Sequence, residues 1–283
     1  MQFSLILATI SRVSEVDHML TSLQKQSYQN FEVIVVDQNL DNRLDLILAK
    51  HQLQMNIHHV KLEKPGLSRA RNIGLTHVNG NIVAFPDDDC WYGDNYLLEK
   101  IKEKFRVKLN WDGLSVKVID SQGVNVGLRW PSHPIQLDKN NVFNLAMSVS
   151  FFVRKRLVDD VGAYDEKLGV GANTVYGSGE ETDYLLRSLA ANKSIHYEPG
   201  LCVNHPQVGQ AYNRVAIYKA FSYGVGLGHV VAKYKYPMLY KCNLIVRPLG
   251  GALLNLLKPK KAGFYLGSAF GRIYGMLLYL IKA

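Results

Sequence analysis

Cysteine is scarce in this chain, which has three cysteines in 283 residues and no pair with the C-x-x-C spacing. An odd number of widely separated cysteines argues against a disulfide framework, and the missing pair argues against a structural zinc site. We therefore expect the protein to work in a reducing compartment. Its content of 47% hydrophobic and 20% charged residues excludes disordered and collagen-like chains and is enough to build a substantial core.

Acidic residues are absent beyond Glu198, although eleven basic residues follow it. The first 198 residues hold the other 22 of the 33 basic residues and all 24 acidic ones, so they sum to −2 and the tail carries +11, which gives the total charge of +9. A near-neutral body with a wholly basic tail predicts an anionic partner, either a membrane surface or a nucleic acid. The tail is rich in leucine and glycine and has no RNA-binding motif, so a membrane is favoured and no nucleic acid is expected.

Several signatures of other protein classes are missing too. Residues 1–8 lack the basic start of a secretion signal, and we expect them to form a buried strand instead. The sequence has no G-x-S-x-G turn, no H-E-x-x-H motif and no G-x-x-x-x-G-K-[ST] phosphate loop. No G-x-G-x-x-G follows the first predicted strand, which disfavours a nicotinamide dinucleotide fold.

Apolar runs of strand length alternate with helical patterns along the first hundred residues. Strands are predicted at 3–8, 31–36, 57–60 and 81–85, and helices at 14–26, 41–53 and 66–77. This alternation predicts an α/β fold with a doubly wound, mostly parallel sheet. Ligands bind beyond the carboxyl ends of such strands, which directs attention to Thr9, Asp37 and Asp87.

Three consecutive acids, Asp87, Asp88 and Asp89, follow the predicted strand at 81–85. Packed carboxylates repel one another, so their pKa values rise unless a positive charge lies beside them. A hard divalent cation would supply that charge, and phosphate oxygens of a substrate would complete its ligand shell. The alternative is a solvated acidic turn that caps the next helix.

The segment 66–74, with the sequence GLSRARNIG, is a second candidate site at the start of a predicted helix. Free N–H groups at a helix start and the guanidinium groups of Arg69 and Arg71 favour phosphate. Because the helix dipole disfavours cations there, these arginines call for an anionic partner. The alternative is a surface helix whose arginines pair with the acids at 87–89.

A second acidic cluster consists of Glu180, Glu181 and Asp183, at the start of a helix predicted at 181–191. Such a cluster can offer a general base and a group that orients it, but acids are also ordinary electrostatic caps of a helix start. His205 follows a short apolar piece, and a single histidine there is more often structural than a ligand.

In their order along the chain, these motifs resemble the family-2 glycosyltransferases with the GT-A fold, over about residues 3–205. The matching segments are 4–9 (SLILAT), 22–37 (SLQKQSYQNFEVIVVD), 66–74, the DXD stretch at 87–89, 161–166 (VGAYDE) and 179–183 (GEETD). The resemblance implies a metal-dependent enzyme of bacterial polysaccharide synthesis. Such an enzyme moves a sugar from a nucleotide diphosphate to an acceptor hydroxyl and inverts the anomeric carbon.

The resemblance also implies the site residues. The donor is expected to contact Thr9, Asp37, Gln38, Arg71, Asp87 and Asp88. A cofactor, Mg²⁺ or Mn²⁺, is expected to be held by Asp87, Asp89 and His205. Glu181 stands at the position of the general base, with Glu180 and Asp183 as rivals.

Three positions depart from the family pattern. Gln38 stands where a second aspartate often contacts uracil, but its carbonyl can still accept a hydrogen bond from a base N–H, so a UDP-sugar stays favoured. Ile10 replaces the usual aromatic residue and removes a stacking surface. Glu181 is one methylene longer than the usual aspartate, which keeps its two rivals open.

The tail predicts a membrane contact. Residues 262–281 contain one charge, Arg272, and follow Lys258, Lys260 and Lys261, which fits a helix lying in the membrane interface better than a helix crossing it. We therefore expect a glycosyltransferase domain at 1–210 and a basic, amphipathic, membrane-associating extension at 211–283. The first would have a nucleotide-sugar half at about 1–110 and an acceptor half at about 111–210.

The expected location is the cytoplasmic face of the inner membrane, with a glycan or a lipid-linked glycan as acceptor. Two other readings stay open. One is a basic nucleic-acid- or membrane-binding protein. The other is a nucleotidyltransferase of similar fold, which should carry a basic, glycine-rich loop after its first strand, where this chain has ATISR.

Overall fold

Strands and helices alternate along the first 107 residues of the computed structural model, as the apolar pattern predicts. The structure describes residues 1–145, 147–207, 209 and 211–282. The first strands are β1 (Phe3–Thr9), β2 (Phe31–Asp37), β3 (Asn56–Lys61) and β4 (Ile82–Ala84). The helices between and after them are α1 (Ser14–Gln24), α2 (Asp45–Gln52), α3 (Leu67–Leu75) and α4 (Leu97–Val107).

The remaining elements include four more strands and a run of long helices at the end. The strands are β5 (Gly113–Ile119), β6 (Ile135–Gln136), β7 (Phe151–Arg154) and β8 (Ile195–Asn204). The helices are α5 (Val142–Leu145), α6 (Lys155–Val161), α7 (Glu180–Ala190), α8 (Arg214–Lys233), α9 (Met238–Leu253) and α10 (Pro259–Lys282).

These strands form one sheet in the order β3-β2-β1-β4-β7-β5-β8-β6. The four strands β1 to β4 pair in parallel, and so do β5 and β8, whereas β7 and β6 run against their neighbours. The predicted α/β fold with a mostly parallel sheet is confirmed. β1 and β2 are buried along nearly their whole length, as expected for strands in a sheet covered on both faces.

The strand register brings the predicted ligand positions to one edge of the sheet. Thr9 at the end of β1 is level with Asp37 at the end of β2. An isolated parallel bridge joins Ala8 to Asp87, beyond the end of β4. Because the carboxyl ends of parallel strands share an edge, residues far apart in sequence meet there.

The described residues fold as two compact units. The first contains the sheet and comprises Met1–Pro65, Arg69–Tyr164 and Tyr184–Gln207. The second comprises Gly66–Ser68, Asp165–Asp183 and the described part of Val208–Ala283. The helices α8, α9 and α10 belong to the second unit, in the region predicted to be helical. The predicted boundary at residue 210, and the two halves before it, stay predictions.

In the second unit, α8 and α10 pack against each other at glycines. A Cβ atom at Gly228 would lie 2.1 Å from the carbonyl oxygen of Arg272, and one at Gly275 would lie 2.0 Å from that of Val225. Helix backbones approach this closely only where side chains are absent. The tail is therefore a packed helical structure with its own interior.

Arg272, the charge inside the predicted 262–281 segment, has a partner within this helical structure. Pro248 lies inside α9 and has no N–H to donate to the carbonyl of Leu244, four residues earlier. The Arg272 guanidinium donates to that carbonyl instead. Arg272 therefore supplies the hydrogen bond that Pro248 cannot donate within α9. The sequence pattern does not reveal this role.

Exposed apolar side chains run along α9 and α10 at helical spacing. They are Leu239, Val246, Leu249 and Leu253 on α9, and Leu266, Phe270, Leu277 and Ile281 on α10. The turn between the helices exposes three further leucines, Leu254, Leu256 and Leu257. We call these eleven residues the apolar tail face. Large exposed patches of apolar residues are uncommon on solvated helices.

Two of the tail helices also meet the size requirement for crossing a membrane. By length and composition alone, α8 and α10 are long and apolar enough. In α8, however, many of the apolar residues are buried within the second unit, among them Val225, Val230 and Val231. For α8, packing inside the protein therefore explains the apolar composition.

Candidate active site

The three consecutive aspartates lie just beyond the carboxyl end of β4, in the first unit. Asp87 pairs with Ala8 of β1 in the isolated bridge described above, and Asp88 accepts a hydrogen bond from the Thr9 hydroxyl at 2.8 Å. Cys90 follows and is fully buried, with its backbone N–H bonded to the carbonyl of Asp87 at 3.2 Å. The turn is thereby fixed with its carboxylates grouped at the sheet edge.

Arg12 supplies the positive charge that this carboxylate group needs in the absence of a cation. Its Nη1 lies 2.7 Å from Oδ1 of Asp88, and the same atom contacts Asp89. Burial nevertheless raises the pKa of Asp88 above its ordinary value, against the opposing effects of Thr9 and Arg12. The sequence analysis assigned Arg12 no role. The available signal was its place three residues after Thr9, in the loop at the carboxyl end of β1.

His205 lies beside Asp89, as the resemblance implied. Its Nε2 is 3.1 Å from Oδ1 of Asp89, and its Nδ1 is 2.8 Å from the carbonyl oxygen of Pro206. Burial alone would raise the pKa of Asp89, but the hydrogen bond and charge of His205, together with Arg12, lower it to about 2. Burial opposes protonation of His205, yet its bonds to Asp89 and Pro206 raise its pKa above the usual value.

Asp87, Asp89 and His205 together fit a divalent cation. Each offers one ligand atom, and these three atoms lie within 4.8 Å of one another. Two carboxylate oxygens and one imidazole suit Mg²⁺ or Mn²⁺, with the nitrogen ligand favouring manganese. A carbonyl only accepts hydrogen bonds, so the bond to Pro206 places a proton on Nδ1 and directs Nε2 of His205 to the cluster.

The last residue of β8, Asn204, holds the aspartate turn and His205 together. Its backbone pairs with Trp91 in both directions, at 3.0 and 2.9 Å. Its side-chain oxygen accepts from the N–H of Gly93 at 3.1 Å. The backbone N–H of His205 donates to the carbonyl of Ile119 at 2.9 Å. Asn204 is a second residue that the sequence analysis missed, since nothing near it in sequence indicates a partner at residue 91.

Arg71 lies on α3 and is buried beneath the cluster. It is 2% exposed, its Nη2 is 3.4 Å from Oδ1 of Asp87, and its guanidinium lies 5.5 Å from the ring centre of Tyr164. The expected anionic neighbour is therefore present within the protein. This ion pair agrees with the alternative stated for segment 66–74, and a contact of Arg71 with a donor diphosphate stays a prediction.

Asp37 is fully buried at the end of β2 and has several partners. It accepts from Lys61 at 2.9 Å, from the N–H and side chain of Asn39 at 2.8 and 2.7 Å, and lies 3.0 Å from His59. Burial works against its ionisation, but these donors together lower its pKa. Gln38 is also buried and reaches the carbonyl of Thr9 at 3.4 Å. Donor contacts of both residues stay predictions.

The second acidic cluster belongs to the second unit, where it forms the first turn of α7. Asp183 is fully buried and accepts from Lys233 at 2.6 Å and from the Tyr234 hydroxyl at 2.8 Å. Glu180 is 6% exposed and packs against Gly169. A Cβ atom added at Gly169 would lie 2.9 Å from the carboxyl carbon of Glu180. Glu181 is partly exposed. Of the three candidate bases, Glu181 is thus the one most accessible to a substrate.

Comparison with known proteins agrees with the fold and the motifs. The family model Glycosyl transferase family 2 matches residues 4–158, more than half of the chain. The glycosyltransferase GlyA from Streptococcus pneumoniae serotype 4 is 36% identical over 88 residues. That match covers 30% of this chain and only 13% of the length of GlyA.

Two solved structures have a similar fold. TarS from Staphylococcus aureus in complex with UDP-GlcNAc aligns with a TM-score of 0.61 at 19% identity, covering 96% of this chain and 91% of that chain. The mannosyltransferase PcManGT from Pyrobaculum calidifontis, in complex with GDP-Man and Mn²⁺, aligns with a TM-score of 0.64 at 14% identity, covering 96% and 87%. These likenesses show the GT-A fold. Since the family model matches more than half of the chain, the chain belongs to glycosyl transferase family 2, as its motifs predict.

Proposed function

We propose that this protein transfers a sugar from a nucleotide-diphosphate donor, with a UDP-sugar favoured, to a hydroxyl group of a glycan or a lipid-linked glycan. The observation that carries this proposal is the grouping of Asp87, Asp89 and His205 at the carboxyl edge of the sheet. A divalent cation bound there would neutralise the charge that builds on the departing diphosphate. The transfer would invert the anomeric carbon, as in the inverting enzymes that the motifs resemble.

The chain's own residues supply the other parts of this chemistry. Arg71 offers a buried positive charge beside Asp87, and Arg12 offers a half-exposed one beside Asp88 and Asp89. An acceptor hydroxyl has a pKa far above neutral, so a base must take its proton as it attacks the sugar. We assign this role to Glu181, because this residue is partly exposed while Glu180 and Asp183 are buried.

The identities of the donor and acceptor rest on relatives. TarS binds UDP-GlcNAc and PcManGT binds GDP-Man with Mn²⁺, which supports a nucleotide sugar and a divalent cation here as well. TarS is by name a poly(ribitol-phosphate) β-N-acetylglucosaminyltransferase. That name supports a polymeric, hydroxyl-bearing acceptor and a part in the synthesis of cell-surface polysaccharide.

A screen of sugar nucleotides tests the proposed function. The full chain is mixed with UDP-, GDP- and dTDP-sugars, with and without Mn²⁺, and thermal unfolding and donor hydrolysis are followed. A donor at a hundred times its Kd should stabilise the fold by about 2.7 kcal/mol, which raises Tm by several degrees. The effect should need both the cation and one donor. Absence of any shift and of any hydrolysis across the whole panel would refute the proposal.

We also propose that the tail binds the anionic cytoplasmic face of the inner membrane. The apolar tail face belongs to a part of the sequence that has eleven basic residues and no acidic residue after Glu198. Lys258, Lys260 and Lys261 directly follow the exposed leucines of the α9–α10 turn. This combination of apolar insertion and positive charge fits an anionic lipid surface better than a nucleic acid, which would offer the leucines no apolar environment.

Charge removal at this turn should release the protein from membranes. Replacing Lys258, Lys260 and Lys261 by glutamine removes about 1 kcal/mol of attraction for each lysine, or on the order of 10²-fold in affinity altogether. The measurement is co-sedimentation with vesicles containing phosphatidylglycerol, compared with neutral vesicles. Replacing Lys25, Lys50 and Lys64, three exposed lysines of the first unit, serves as the matched control. Equal binding of both triple variants would contradict the membrane proposal.

A further inference from the structure

Helix α8 forms the support on which the acidic loop before α7 rests, and all of these residues belong to the second unit. The N–H of Gly177 donates to the carbonyl of Ser222 at 3.1 Å. The Ser178 hydroxyl donates to the carbonyl of Tyr223 at 2.9 Å. The loop is thus attached to α8 through backbone carbonyls directly before the acids begin.

Glycines on both sides let the loop and the helix meet backbone to backbone. A Cβ atom at Gly226 of α8 would lie 2.1 Å from the carbonyl oxygen of Ser178. Gly179 has a φ of +100° and faces Gly226 and Val230 of the same helix. A side chain at either position would push the loop away from α8. The path of the chain into the first turn of α7 is therefore set by α8.

The end of α8 holds Asp183, the fully buried acid in the first turn of α7. Lys233 is the last residue of the helix, and its Nζ lies 2.6 Å from Oδ1 of Asp183 and 3.9 Å from Oδ2 of Asp165. The hydroxyl of Tyr234 donates to the same Oδ1 of Asp183 at 2.8 Å. Asp183 is wholly shielded from solvent. A carboxylate buried this deeply needs its charged partner, and loss of that partner leaves an uncompensated charge.

We propose that Lys233 and Tyr234 are positioning residues, which hold Asp183 and thereby fix the first turn of α7 so that Glu181 can take a proton from the acceptor. Glu181 lies two residues before Asp183 on the same turn, so any movement of Asp183 turns Glu181 with it. The tail would then position the proposed base, in addition to making the proposed membrane contact. This inference rests on the proposed function, because it assumes that Glu181 is the base.

The test combines single and double substitutions in the full chain, assayed with the donor found in the screen and a simple alcohol acceptor. Lys233→Met should lower kcat for transfer at least tenfold while the KM for the donor stays within twofold of wild type. Lys233→Arg, which keeps the charge, should recover most of the loss. The double variant Lys233→Met with Asp183→Asn should be no worse than Asp183→Asn alone, since both changes break one interaction.

Two further variants separate positioning from general loss of structure. Tyr234→Phe removes one hydroxyl and keeps the ring, so it should lower kcat a few-fold with an unchanged Tm. Lys235→Met, at the exposed neighbouring lysine, should behave as wild type. A wild-type kcat for Lys233→Met would overturn the inference, and so would a fall in kcat accompanied by an equally large rise in the KM for the donor.

Failure of this inference can be told apart from failure of the proposed function. If Glu181→Gln abolishes transfer while Lys233→Met leaves it intact, Glu181 remains the base and the inference about α8 is overturned. If the wild-type chain transfers no sugar from any donor, the proposed function fails and the inference fails with it.

Discussion

Replacing Asp89 by alanine is expected to abolish metal-dependent turnover. The side chain contributes one of the three clustered ligand atoms and is the partner of His205 at 3.1 Å. A cation that stabilises a departing diphosphate contributes several kcal/mol to catalysis, so the loss should be about 10³-fold or more. Binding of Mn²⁺, followed by calorimetry on the free protein, should weaken in parallel. This second readout does not depend on turnover.

A matched control for this variant is Asp159→Asn, on the exposed surface of α6. Asp159 pairs with Lys155 within the same helix and is 54% exposed. Its replacement should change stability by a few tenths of a kcal/mol and leave turnover intact. If Asp89→Ala binds Mn²⁺ as tightly as wild type, the assignment of the metal site to this cluster is wrong.

Replacing Glu181 by glutamine is expected to separate donor binding from sugar transfer. The amide keeps the size of the side chain but cannot take a proton, so transfer should fall by about 10²- to 10⁴-fold. Donor binding, measured by the thermal shift with Mn²⁺, should be unchanged. Glu63→Gln, at an exposed position near β3, is the control and should retain full activity.

The rival bases give a different expected pattern. Asp183→Asn removes the charge that Lys233 contacts at 2.6 Å, so the variant should lose stability as well as activity. Glu180→Gln changes a side chain packed against Gly169 and should act mainly on stability. Normal transfer by Glu181→Gln, together with inactive but stably folded Glu180→Gln, would move the base to Glu180.

The strands β1 and β2 could be predicted from sequence because apolar residues dominate them, as expected for strands buried on both faces. Each has only two polar residues in seven, Ser4 and Thr9 in β1 and Glu32 and Asp37 in β2. α4 went unpredicted although Leu97, Leu98, Ile101 and Phe105 all lie on its buried side, a spacing that is present in the sequence. That omission was avoidable.

β8 is a different case, because its sequence hides the strand. Pro199 and Gly200 interrupt its ten residues, and its pairing with β5 shifts register between Val116 and Lys117. A bulge lets the ladder resume after the interruption, but nothing local in the sequence indicates that it does so. The pairing with β5 determines where the hydrogen-bond ladder of β8 resumes. The alternation of apolar and polar residues along β8 therefore does not reveal the whole strand.

The candidate site was predictable in its residue types and not in its pairings. Family motifs pointed to the aspartates at 87–89 and to His205, which the structure brings together. Arg12 as the internal counter-ion and Lys233 as the partner of Asp183 were not foreseen. Both pairings join residues at least 50 positions apart, and a single sequence carries no record of which distant charges meet.

The attachment of the acidic loop to α8 has a consequence for the order in which the newly made chain matures. Asp183 is synthesised fifty residues before Lys233, so the sheet can fold while the first turn of α7 still lacks its contact with Lys233. A nascent chain released before residue 233 would contain every acidic residue that the proposed reaction needs. It would lack Lys233 and would therefore be inactive. By the proposed role of Lys233, the first turn of α7 would become competent only after residues 233 and 234 have been made and have bound Asp183.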